Sequence, residues 1–66
     1  MQTKVREGFR RAEEKIVEAR MKLLAGDYVT SQQLCHDARV ILAIAAENLN
    51  YAQVQKASEI QREASP

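Results

Sequence analysis

Val5, Phe9, Ala12, Ile16, Ala19 and Leu23 recur at intervals of 4, 3, 4, 3 and 4 residues. That spacing is a heptad seam along one helix face, and it commits the first third of the chain to an amphipathic helix that must lie against another helix. Large residues alternate along the seam with alanines, and the alanines let a second helix backbone come close. The other faces are charged, with Glu7 and Arg11, Arg10 and Glu14, and Glu18 and Lys22 each four residues apart. Each such pair adds about 0.2–0.5 kcal/mol. Gly8 is the weak point, costing up to about 1 kcal/mol relative to Ala inside a helix, so the first turn is expected to fray.

The periodicity stops at Gly26, the natural residue for a left-handed C-terminal cap. A helix start follows at once. Thr30 suits an N-cap with Gln33 closing a capping box, while Val29 and Leu34 hold the positions of a hydrophobic staple. Asp27 is the rival N-cap and would start the second helix three residues earlier. Either way the connection is short, which sets the two helices antiparallel. The expected layout is one all-α domain over residues 1–66: a helix over about 4–25, a turn at 26–30, and a helix over about 31–48. That helix either runs on to 63 or breaks near Asn48, with Asn50 capping a third segment. The Ala, Gln, Lys and Glu content beyond Asn50 favours continuation, and the tail from Ala64 is expected to fray.

Leu34, Ala38, Ile41 and Ala45 form the second helix's seam, so the expected hairpin core is Phe9, Ile16, Leu23, Leu34, Ala38, Ile41 and Ala45. One seam does not use up the apolar surface. Val40, Leu42, Ala43, Ile44 and Ala46 spread around the rest of the cylinder, and a helix apolar on all sides needs cover from more than one neighbour. Tyr51 and Val54 continue a sparser stripe. Val40, Leu42, Ile44, Tyr51 and Val54 are therefore the expected interface with another chain.

Size points the same way. Below roughly 70–80 residues a single core seldom supplies more than about 3–5 kcal/mol, and small chains recruit disulfides, a metal or a second chain. Cys35 is the only cysteine among 66 residues, which excludes an intrachain disulfide and a cysteine-based zinc site. A protein partner remains, either further copies of this chain or a different protein. The net charge of +1 gives no general attraction to nucleic acid or anionic membrane. It is uneven, however: residues 1–25 carry +3 and the rest −2. The longest wholly apolar run, Val40 to Ala46, falls far short of the roughly 18 residues of a membrane span. The N-terminus lacks a secretory pattern, and the expectation is a soluble, cytoplasmic protein.

Nothing in the chain calls for catalysis. His36 and Cys35 are adjacent, and neighbours in sequence do not face each other on a helix, so they make a poor nucleophile and base. Cys35 is expected as a small buried hydrophobe and His36 on the surface. Glu13 with Glu14, and Asp37 with Glu47, lack a histidine at ligand spacing, and Gly8 and Gly26 are too isolated to cradle a phosphate. No enzyme activity, cofactor, metal or small-molecule substrate is expected. The alternative is a nucleic-acid binder contacting phosphates through Arg6, Arg10 and Arg11, with salt-dependent affinity. Against it, glutamates interleave these arginines at salt-bridge spacing.

Gly26-Asp27-Tyr28 followed by Ser31, Leu34, Cys35 and Ala38 resembles the turn and second helix of a tetratricopeptide repeat, over about half of one repeat. Lys15, Glu18 and Lys22 depart from that family's bulky packing positions in the first helix, and the proline at the repeat's end is missing. The resemblance implies a tetratricopeptide-like hairpin rather than an array. Chain length, Gly26, Gln32-Gln33-Leu34 and Ala38-Arg39 are also similar to the small helical-hairpin subunit of type III secretion needle chaperones. That likeness implies pairing with a larger helical chaperone to keep an aggregation-prone secretion subunit soluble. Residue patterns and resemblances together predict a non-catalytic adaptor, co-chaperone or assembly subunit acting by helix-on-helix burial.

Overall fold

The computed structural model describes residues 2–64, with side chains from 3 to 61. Met1, Ser65 and Pro66, and with the last two most of the tail expected to fray, lie outside the described residues. Helix α1 spans Gln2–Leu24 and helix α2 spans Tyr28–Ala64. They form an antiparallel hairpin, 63 × 16 × 12 Å along its principal axes. Asn48 and Asn50 do not break α2, so there is no third segment among the described residues. Gly8 is helical and does not end the first turn.

The turn is built from two interlocked caps. Gly26 adopts φ +81°, a conformation that costs glycine nothing. Its N–H donates to the Leu23 carbonyl at 3.0 Å, and the Asp27 N–H donates to the Lys22 carbonyl at 2.9 Å. This is the Schellman pattern, which satisfies two carbonyls that a helix end otherwise leaves bare. Asp27 then opens α2: its carboxylate accepts from the Thr30 N–H at 3.1 Å, and its carbonyl accepts the first helical bond, from the Ser31 N–H at 3.1 Å. Asp27 is therefore the N-cap, and Thr30 and Gln33 do not form the capping box. The reason is backbone accounting: starting at Tyr28 leaves no stretch of unpaired amides between the caps. Val29, exposed while Leu34 is buried, forms no staple.

Among the described residues the buried side chains are Val5, Ala12 and Ala19 from α1 and Leu34, Ala38 and Ala45 from α2. Four of these six are alanines, so the helices meet almost backbone to backbone. Ser31 Oγ donates to the Ala19 carbonyl across the interface at 2.8 Å. A methyl added at Gly8 would sit 3.6 Å from Ala45 Cβ and 3.9 Å from Ile41 Cγ2. Those are ordinary contact distances, and Ala is the better helix former by up to about 1 kcal/mol. Gly8→Ala should therefore raise the melting temperature; a fall would show the interface tighter than these distances allow.

Phe9, Ile16 and Leu23 are not core residues. They remain 44%, 43% and 53% exposed. Val5, Ala12 and Ala19 belong equally to a second heptad phase that runs through Gly8 and Lys15, and both of these are half-buried. The helices pack in that phase because Gly8 and the aliphatic stem of Lys15 permit close approach, whereas Phe9 and Ile16 would hold the backbones apart. Ile41 is half-buried, and Leu34, Ala38 and Ala45 are buried as the seam predicts.

Candidate protein-binding face

From Ser31 onward the buried and half-buried positions of α2, Ser31, Leu34, Ala38, Ile41, Ala45, Asn48 and Ala52, step by 3 and 4 residues in turn, with half-buried Thr30 just ahead of them at the turn. They define one edge-on seam, and everything else on α2 falls to one side of it, to the other, or outward. A groove of about 360 Å³ places Lys4, Glu7 and Arg11 of α1 beside Val40 and Ile44 of α2. That side is mixed, charged on α1 and apolar on α2. On the opposite side of the seam lie the positions just after each inward step: Phe9, Ile16 and Leu23 on α1, and Tyr28, Cys35, Leu42 and Leu49 on α2.

The register makes this second side continuous. The Ser31 contact with Ala19 and the packing of Gly8 against Ile41 and Ala45 bring Phe9 level with Leu42, Ile16 level with Cys35, and Leu23 level with Tyr28. All seven side chains are exposed, with Leu42 at 38% and Leu49 at 42%. Arg6, Glu13 and Arg20 border the face along α1, and Gln32, Arg39 and Gln53 border it along α2. An apolar centre with a polar rim is the anatomy of a protein-binding patch.

The five expected interface residues do not share one surface. Leu42 and Ile44 are two residues apart and so point about 200° from each other around the helix. Leu42 belongs to the continuous apolar face, whereas Val40, Ile44, Tyr51 and Val54 follow one stripe on the mixed side. Phe9, Ile16, Leu23, Tyr28 and Leu49 complete the Leu42 face. The spacing of the first three marks them as apolar but points them at the core, and the last two stand in heptad register with Leu42, a signal that marks a stripe without saying what it faces. Cys35 is exposed on this face rather than buried, since the seam passes through Leu34 instead. His36 is exposed, one position further around α2.

Arg6, Arg10 and Arg11 do not converge. Arg10 is paired with Glu14 at 2.6 Å, Arg11 borders the groove with Val40, and Arg6 borders the Leu42 face. Among the described residues no group of three or more His, Cys, Asp or Glu side chains is placed to hold a metal ion. Among them, too, no helix is long and apolar enough to cross a membrane.

One carboxylate stands out electrostatically. The hydroxyl and backbone N–H of Thr30, with a smaller contribution from Lys22, hold the Asp27 carboxyl below its usual range. A carboxyl lowered in the fold stabilises it fully above the unfolded-chain value, and that stability is lost as pH falls through the lower folded value. The melting temperature should thus hold above about pH 4 and decline below it. Asn caps helices as well as Asp does, so Asp27→Asn should stay folded near neutrality and lose this part of the acid dependence; unchanged acid melting would place the sensitivity elsewhere. No known protein family, no curated protein and no solved structure matches this chain.

Proposed function

We propose that this chain is a non-catalytic protein-interaction module, an adaptor, co-chaperone or assembly subunit, and that it works by burying its Leu42 face against another polypeptide. One observation carries the reading: the hairpin's own contact consumes mostly alanines, while Phe9, Ile16, Leu23, Leu42 and Leu49 stay in water. Fully burying one such side chain is worth about 1.5–3 kcal/mol, more than most alanine contacts in the seam can supply. The total accessible area, 5706 Å² for 7.5 kDa, also exceeds the roughly 4,200 Å² of a compact monomer of that mass. Of the two resemblances, the tetratricopeptide one is limited by the length of α2. At 37 residues this single helix is longer than a whole tetratricopeptide repeat of about 34 residues.

Melting followed by circular dichroism from about 1 to 100 μM chain, with a dye for exposed apolar surface, tests the reading. The isolated chain should either gain stability with concentration or bind the dye as a poorly folded monomer. A stable monomer whose melting is independent of concentration and which ignores the dye would end it.

A further inference from the structure

Resting on the interaction-module reading, we infer that the occupant of the Leu42 face is a second copy of this chain. The two hairpins stack face to face, each α1 over the partner's α2, so that neighbouring helices alternate in direction around a four-helix bundle. The face is complementary to itself in this arrangement. A twofold axis parallel to the helices keeps residues at the same height, so Phe9 meets the partner's Leu42, Leu23 meets the partner's Tyr28, and Ile16 meets the partner's Cys35. The last of these sets a large side chain on the smallest of the α2 stripe.

The rim charges select the same arrangement. In the hairpin register Glu13 is level with Arg39, Arg20 with Gln32, and Arg6 with Ala46. Stacking each α1 over the partner's α2 therefore puts the one acidic rim residue of α1 against the partner's Arg39, and sets no like charges opposite. Neither Glu13 nor Arg39 is spent within the hairpin, where the ion pair among the described residues is Arg10 with Glu14. The competing stack, α1 over the partner's α1 at full overlap, would oppose Glu13 to itself, Arg39 to itself, and Arg6 to Arg20. Opposed like charges suppress a pairing.

Sedimentation equilibrium on the full chain tests this. The expected particle is twice 7.5 kDa. Leu42→Glu should give monomers, while Ile44→Glu, on the opposite side of the seam, should remain dimeric. Glu13→Arg opposes like charges at two symmetric sites and should weaken the dimer roughly tenfold, and Glu13→Arg with Arg39→Glu should restore it. That rescue cannot come from a folding defect, because neither residue touches the hairpin core. A wild-type monomer overturns the second copy as occupant; if it binds the dye, the interaction-module reading survives without it. A dimer lost on Ile44→Glu and kept on Leu42→Glu overturns the face, and a double variant no tighter than Glu13→Arg overturns the register.

Discussion

Ala45→Leu is expected to bring the hairpin close to unfolding. Ala45 is 3% exposed, and its Cβ lies 3.6 Å from where a side chain on Gly8 would begin. The three added carbons therefore face the α1 backbone itself and can be housed only by moving α1 away. That displacement would break the Ser31 bond to the Ala19 carbonyl and open Ala12 and Ala38 to water. Overpacking a tight site costs about 1–3 kcal/mol, most of the roughly 3–5 kcal/mol that a core of this size supplies. Far-UV circular dichroism should show a broad, early melt. Ala43→Leu, the same substitution at an exposed position of α2, should melt like the parent chain. Equal melting of the two variants would mean that the alanine seam does not set the helix separation.

Leu34→Ala has the second large expected effect. Leu34 is 8% exposed and is, with Val5, one of the two buried side chains bigger than alanine among the described residues. Truncating a buried Leu costs about 2–5 kcal/mol, the lost transfer energy plus the cavity left behind. Here that range spans the whole margin. Urea unfolding should show the midpoint collapse toward zero denaturant, while Leu24→Ala, at an 81% exposed position just before the turn, should stay within about 0.5 kcal/mol of the parent. A Leu34→Ala midpoint near that of Leu24→Ala would show that burial in this hairpin contributes little and that stability comes from association.

Two elements show how much of the fold is legible in the residues themselves. Gly26 marks the end of the first helix because only its backbone tolerates φ near +80° there, and the cap forms as that reasoning predicts. The start of α2 is harder to place, since Asp27 and Thr30 both carry oxygens that can cap. Their competition is settled by the Lys22 carbonyl, which takes the Asp27 N–H and so leaves the helix to begin at once. Local chemistry offers both solutions, and a hydrogen bond across the turn selects one.

The candidate face shows the limit of periodic reasoning. Val5, Ala12 and Ala19 fit two heptad phases, one through Phe9, Ile16 and Leu23 and one through Gly8 and Lys15, and hydrophobicity favours the first. The helices take the second. Which phase turns inward depends on how closely two backbones can approach, a property of both helices together, and Gly8 against Ala45 allows a separation that Phe9 does not.

The amino-acid order alone thus determined that the chain makes two helices, where the first ends, that they run antiparallel, and that more apolar surface exists than one hairpin can hide. Those follow from local propensity, capping and a count of apolar positions. Only the tertiary structure decided which apolar residues are core and which are face. It moved Phe9, Ile16 and Leu23 from one class to the other and divided Leu42 from Ile44. The physical reason is that alanines and a glycine at the contact bring the helices too close for large side chains to fit between them, and those side chains are left together on the outside.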